Sequence, residues 1–228
     1  MYGKMSMLKA IVSCSGGLDS TTLLYHMVKD LERDVLAVSF DYGQNHVKEI
    51  EYAKLHANEL NIEHRVINLK DFYKQINNSS ALTTGSDNVP DADYSNDVQP
   101  ITYVSNRNLF FSIIMSSIAE EVKASEIYLG IQRVDYFNGY WDTSEAFVER
   151  LQALMNLNTS NQVKLVTPFV NMNKSDEIAI GNRLGLDYAK TMSCYKGINC
   201  GTCSTCRERI LAFESIGLTD PINYKKLS

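Results

Sequence analysis

The stretch KAIVSCSGGLDSTTLLYHM, residues 9–27, decides the fold. Its first part, 9–15, is a short apolar run that reads as a buried strand. From 19 to 33 the chain has helical spacing, with Leu23, Leu24, Met27 and Leu31 on one face. Between strand and helix stand Ser15, Gly16, Gly17, Leu18, Asp19 and Ser20. A helix N-terminus at the end of a parallel strand offers unpaired N–H groups and partial positive charge, which suit an anion. Two glycines let the backbone wrap closely around that anion. Hydroxyls at Ser15, Ser20, Thr21 and Thr22 add donors, and Asp19 fits if it meets Mg²⁺ or orients the loop. The loop lacks the lysine of a P-loop and the spacing of a dinucleotide-binding turn.

Outward from this stretch, strand and helix signals alternate. Strands are expected at 34–43, 64–69, 125–131 and 163–169, and helices at 45–60, 107–124, 144–158, 173–185 and 207–217. Ser144 reads as an N-cap and Gly185 as a helix stop. Continuous apolar strands alternating with helices predict a doubly wound α/β fold: a mostly parallel five-stranded sheet covered on both faces. Segment 77–100 is polar and aperiodic, and reads as a mobile surface loop with a lid as the alternative.

The chain has 228 residues, 44% of them hydrophobic, and a net charge of -5. That composition suits one core and gives no global attraction to nucleic acid. No run approaches the roughly 18 apolar residues of a membrane span. The first ten residues lack the apolar core of a secretory signal, so a cytoplasmic location is expected. Of five cysteines, Cys14 lies beside the glycine loop and reads as core, with a catalytic thiol as the lesser reading. Cys194, Cys200, Cys203 and Cys206 cluster near the C-terminus, where Gly197 and Gly201 permit sharp turns. Four thiolates with C-x2-C spacing favour a structural Zn²⁺ over an iron–sulfur cluster or free thiols. The expected organisation is an α/β domain over 1–190 with a zinc-binding excursion over 191–228 packed on it.

SGGLDS after the first strand resembles the PP-loop of the N-type ATP pyrophosphatases, which grip the departing pyrophosphate and so dispense with a P-loop lysine. Together with TMSCYKGINCGTCSTCRER (191–209), SFDYGQNHVKEIEYAK (39–54), NRNLFFSI (106–113) and TPFVNMNKSDEIAIGNRLG (167–185), it resembles the QueC family, the 7-cyano-7-deazaguanine synthases. The resemblance covers nearly the whole chain. It implies an ATP-dependent ligase that adenylates the carboxylate of 7-carboxy-7-deazaguanine, forms an amide with ammonia, and dehydrates the amide to a nitrile. ATP and its Mg²⁺ would meet Ser13, Ser15, Gly16, Gly17, Leu18, Asp19, Ser20, Ser39, Phe40, Asp41 and Gly130. Asp19, Arg107 and Lys174 would serve catalysis. Read singly, Arg107 is a helix-start arginine and Lys174 a solvated lysine.

The sequence also departs from the family. It has VSNRN (104–108) for Pro-Gly-Arg-Asn, and GYWDTS (139–144) for Gly-Tyr-Pro-Asp-Cys-Arg. Tyr140 and Asp142 persist, and Trp141 is the chain's single tryptophan. These three are expected at the substrate base, with Trp141 stacking on it or lying in the core. The resemblance suggests a homodimer. It leaves open a QueC-like antiviral enzyme that joins the deazaguanine to a protein N-terminus. A PP-loop tRNA thiolase would call for a basic module that the acidic chain does not show. A nucleotide-sensing module would bind ATP without releasing pyrophosphate.

Overall fold

The computed structural model describes residues 9–76, 79–91 and 99–225. Its five strands are β1 (Lys9–Ser13), β2 (Asp34–Asp41), β3 (Glu63–Asn68), β4 (Glu126–Tyr128) and β5 (Lys164–Val166). They form one sheet in the order β3-β2-β1-β4-β5. Every neighbouring pair is parallel. The helices are α1 (Leu18–Tyr25), α2 (Glu49–Glu59), α3 (Lys70–Gln75), α4 (Arg107–Val122), α5 (Arg133–Phe137), α6 (Glu145–Met155), α7 (Lys174–Arg183) and α8 (Ser204–Ser215). No described helix is long and apolar enough to cross a membrane.

Alternation along β1 supplies both faces of the sheet. Ile11 joins Leu36, Val38 and Phe40 against Phe111, Met115 and Ala119 of α4. Ala10 and Val12 join Leu23 and Leu24 of α1, Met27 just beyond it and Ala53 of α2 on the other face. All three β1 residues are fully buried, so this central strand reads as a continuous apolar run. Strand order reverses between β1 and β4, the switch point where open α/β sheets bind ligands beyond the strand carboxyl ends. The chain after β1 is the glycine loop, and the chain after β4 runs through Gly130.

Several expectations change. The predicted strands at 125–131 and 163–169 shrink to three residues each, because their flanks turn into loops that build the site. Helices α3 and α5 fall where no helix was expected. The α1 helix widens into a π-helical turn over His26–Asp30, with Leu31 N–H donating to His26 O. That extra residue in the turn swings Leu31 off the core face, and its side chain is exposed. Of segment 77–100, residues 77–78 and 92–98 lie outside the described residues. The described part is anchored, not free. Ala81, Leu82 and Val89 are buried in the main core, and Asn45 N–H donates to Leu82 O at 2.7 Å.

Residues after 190 share the core. Met192 N–H donates to Gly16 O at 3.0 Å, and Ala212 and Phe213 of α8 pack with Leu18, Tyr25 and Ile178.

Candidate active site

The glycine loop is held by its own hydroxyls. Ser20 Oγ accepts from Ser15 N–H at 3.1 Å, and Ser15 Oγ accepts from Gly17 N–H at 3.1 Å. Leu18 N–H donates to Ser193 Oγ at 3.3 Å, so the C-terminal segment clasps the loop. Gly16 has φ +92°, and a Cβ there would lie 2.0 Å from Glu49 O. The loop therefore seats directly on the backbone of α2, which only glycine allows.

Beyond the loop opens a cavity of about 590 Å³. The loop and α1 form its floor. The start of α4, the 129–143 segment and the stretch from Met192 to Glu208 form its walls. Arg107, the first residue of α4, reaches in with Nη1 donating to Tyr42 Oη at 3.5 Å. Its guanidinium is held charged by Tyr42, Tyr195 and Asp142 despite burial. Lys174, the first residue of α7, lies 3.2 Å from Asp19 Oδ2 and 3.6 Å from Glu208 Oε2. Burial opposes its charge, but Asp19, Glu208, Asp135 and Glu177 together raise its pKa. An Asn173–Asp176 capping box fixes the turn that carries it.

Carboxyls crowd the same space. Burial raises Glu49 to about 8 and Asp135 to about 7. Glu177 rises as well, first by burial and then by the charge of Asp19. Its Oε1 accepts from Gln132, while Glu177 Oε2 and Asp19 Oδ1 are buried without hydrogen-bond partners. His46 is pushed down to about 4, mainly by burial, so it is a neutral ring at pH 7. Cys14 lines the cavity, but burial raises its thiol to about 12, which leaves it protonated and a poor nucleophile.

The model of the family described as queuosine biosynthesis protein QueC matches residues 9–217. This chain belongs to the QueC family. Curated relatives named 7-cyano-7-deazaguanine synthase include one from Clostridium kluyveri, 40% identical over 96% of this chain and 99% of its own length. Another, from Oceanobacillus iheyensis, is 41% identical over 95% of this chain and 98% of its own. Among solved structures, the U34-tRNA thiolase NcsA of Methanococcus maripaludis, with its [4Fe-4S] cluster, superposes with TM-score 0.54 at 18% identity. It covers 92% of this chain and 65% of that one. NMN synthetase from Francisella tularensis gives 0.51 at 15% identity, covering 93% and 79%. At these identities the structural likenesses speak for the fold alone.

Of the family positions carried over from the sequence, Ser13, Ser15, Gly17, Leu18, Asp19, Ser20, Phe40, Arg107, Gly130, Tyr140 and Lys174 line the one cavity. Others do not. Gly16 is turned onto α2. Ser39 is buried against Cys14 O at 2.5 Å and His64 Nε2 at 2.7 Å. Asp41 pairs with Lys70 at 2.8 Å on the outside. Asp142 receives Asn108 N–H at 3.2 Å and returns its own carbonyl to Asn108 Nδ2, tying the start of α4. Trp141 leaves the cavity altogether. Its Nε1–H donates to Tyr103 Oη at 2.8 Å, its ring packs edge-on against Phe147, and its outer face is 42% exposed. The expected stacking on a base is therefore replaced by a wall contact, because the Trp141–Thr143 turn aims the ring outward.

The four cysteine sulfurs lie within 4.8 Å of one another, and all four residues are buried. Cys194 and Cys200 Sγ are 3.6 Å apart, and Cys200 and Cys206 Sγ are 4.0 Å apart. A tetrahedron of thiolates about 2.3 Å from a Zn²⁺ would have edges near 3.8 Å. Backbone N–H groups of Cys200, Thr202 and Cys203 point at Cys194 or Cys200 Sγ at 3.3–3.4 Å, the outer-shell support a thiolate needs. Gly197 and Gly201, at φ +70° and +76°, make the turns. The cluster could hold a metal ion, and the donor set fits zinc.

Glu49, Asp135, Tyr195 and Glu208 line the cavity without having been singled out from the sequence. A pattern search passes over them because each sits on a surface-like polar stretch. Only the packing of α2, α5, α8 and the segment that leads into α8, which carries Tyr195, turns them inward.

Proposed function

We propose that this protein activates the carboxylate of 7-carboxy-7-deazaguanine with ATP, releases pyrophosphate, and forms an amide from an amine. With ammonia, a second ATP-dependent round yields 7-cyano-7-deazaguanine. The observation that carries this reading is the shared cavity. An anion cradle at the start of α1 faces the cations Arg107 and Lys174 across a space large enough for a nucleotide and a base.

In this reading the N–H groups of Asp19 and Ser20 at the start of α1, which have no carbonyl one turn earlier, hold the phosphates together with the hydroxyls of Ser15 and Ser20. Arg107 and Lys174 stabilise charge developing between carboxylate and α-phosphate. The orphaned Asp19 Oδ1 is the kind of oxygen that Mg²⁺ takes. That ion would neutralise phosphate charge. Phe40, already stacked on Phe111 at 3.9 Å, presents the adenosine wall. Tyr140, tied to Thr102 at 2.6 Å, borders the base. A zinc held by the four cysteines would crosslink residues 194–206 and keep Ser193, Tyr195 and Glu208 against the loop. The stretch past 190 then completes the site of the α/β unit.

A second reading keeps the activation and replaces ammonia by a protein N-terminus. In its favour is an apolar hollow of about 400 Å³ behind the altered motif, lined by Trp141, Phe147, Leu151 and Leu154. The test supplies ATP, Mg²⁺ and 7-carboxy-7-deazaguanine, with ammonium or with candidate protein acceptors, and follows AMP and product masses. A nitrile mass supports the synthase; an adduct on the acceptor supports the second reading. No AMP formation with the carboxylate would overturn both.

A further inference from the structure

Four carboxylates line the cavity: Asp19, Glu49, Asp135 and Glu208. Three are engaged. Asp19 and Glu208 pair with Lys174. Glu49 receives Gln44 Nε2 at 3.3 Å and faces His46 Nε2 at 3.5 Å. Asp135 differs. Its main chain is locked, with its own N–H donating to Gln132 O at 3.1 Å and its carbonyl accepting from Asn138 and Tyr140 N–H at 3.1 and 3.0 Å. Its carboxylate has no hydrogen-bond or ion-pair partner among the described side chains. A half-buried carboxylate that the fold positions but does not use is available for substrate.

Resting on the reading above, we propose that Asp135 is a catalytic base that takes a proton from the amine nucleophile. Ammonia at neutral pH, like any protein N-terminus, is largely an ammonium and has no lone pair to attack with. The cavity attracts such a cation through Asp19, Glu208 and Asp135. Transfer of one proton to the Asp135 carboxylate frees the lone pair. The nitrogen then bonds to the acyl carbon, the carbon–oxygen bond to AMP breaks, and its electron pair leaves with the AMP phosphate. The second proton on nitrogen goes to that phosphate and out to solvent.

The groups facing Asp135 are Lys174 of α7, Asp19 of α1, Glu208 of α8 and Arg107 of α4, with Tyr140 and Tyr195 beside them. Burial raises Asp135 most. Lys174 and Arg107 lower it, while Asp19 and Glu208 raise it further, to about 7. A base poised there is ionised often enough to work and basic enough to accept.

The test separates the two half-reactions of Asp135→Asn. Carboxylate-dependent exchange of pyrophosphate into ATP should persist with a far smaller loss than amide formation, since Asp135 reaches that step only through the charge of Lys174, and its persistence also shows that the variant folds. Amide formation from ammonium at pH 7 should fall about 100-fold, the lower range for a lost general base. Hydroxylamine is already an uncharged amine at pH 7, and its hydroxamate should form at nearly the unaltered rate. Asp135→Glu should recover part of the ammonium reaction. Equal losses with ammonium and hydroxylamine, or an equal loss of exchange, would overturn the role. An unaltered chain that shows no exchange would overturn the functional reading and this role with it.

Discussion

Replacing Gly16 by alanine tests whether the glycine loop is seated as described. The residue has φ +92°, and an added Cβ would stand 2.0 Å from Glu49 O and 2.8 Å from Ala53 N. Both are backbone atoms of α2, so no side chain can rotate away. The left-handed conformation costs about 1–2 kcal/mol for a residue with a Cβ. Forcing the loop off α2 adds about 1–3 kcal/mol of overpacking. If the loop moves, the Met192 N–H to Gly16 O bond is strained or lost, worth about 1 kcal/mol. The total is about 3–6 kcal/mol, a large part of the roughly 5–15 kcal/mol of a folded domain. For a chain of this size each kcal/mol lowers Tm by about 2–4 °C, so a fall of roughly 6–24 °C is expected by calorimetry. Gly17→Ala is the control. Gly17 has φ -76°, and its Cβ would meet chiefly the Ser15 side chain at 3.2 Å. Its Tm should change little, while ATP-dependent pyrophosphate release falls because the methyl group intrudes on the anion cradle. Equal Tm values for the two variants would refute the seating of Gly16 on α2.

Other perturbations bear on separate parts of the structure. Cys203→Ser, or a strong chelator, should remove one equivalent of bound zinc by elemental analysis and lower Tm and pyrophosphate release together, since the same segment walls the site. Burial holds Glu49 protonated to about pH 8 in the fold, against about 4.5 when unfolded. The folded state therefore binds the extra proton in that window, and this contribution to stability is full below pH 4.5 and lost as pH rises toward 8. Each pH unit in the window costs about 1.4 kcal/mol. Glu49→Gln should flatten this slope in denaturant titrations between pH 5 and 8, and an unchanged slope would contradict the burial. Trp141→Phe should leave KM for the carboxylate base within about twofold. Asp142→Ala should cost about 1 kcal/mol through the freed N–H at the start of α4, read by urea unfolding.

Much of the architecture was legible in residues 9–27 and in the alternation that follows, because buried parallel strands need continuous apolar runs and helices need their own period. The loop, the cysteine spacing and the family motifs were legible for the same reason: each is a local pattern whose chemistry depends on neighbours in the chain. Strand ends and α5 were not, since short elements are decided by what packs on them. Asp142 and Trp141 stand in one motif, yet one ties a helix start and the other turns outward. That difference comes from the direction of a single turn, which spacing does not encode.

The sequence by itself thus determined the sheet, the glycine loop between β1 and α1 and the four-thiol cluster. Tertiary structure alone decided that Asp19, Lys174, Asp135 and Glu208, from four separate helices, share one cavity. It also decided that three of the four lining carboxylates are engaged while Asp135 has no hydrogen-bond or ion-pair partner among the described side chains. Burial and charge act through space, and distance along the chain carries no record of them.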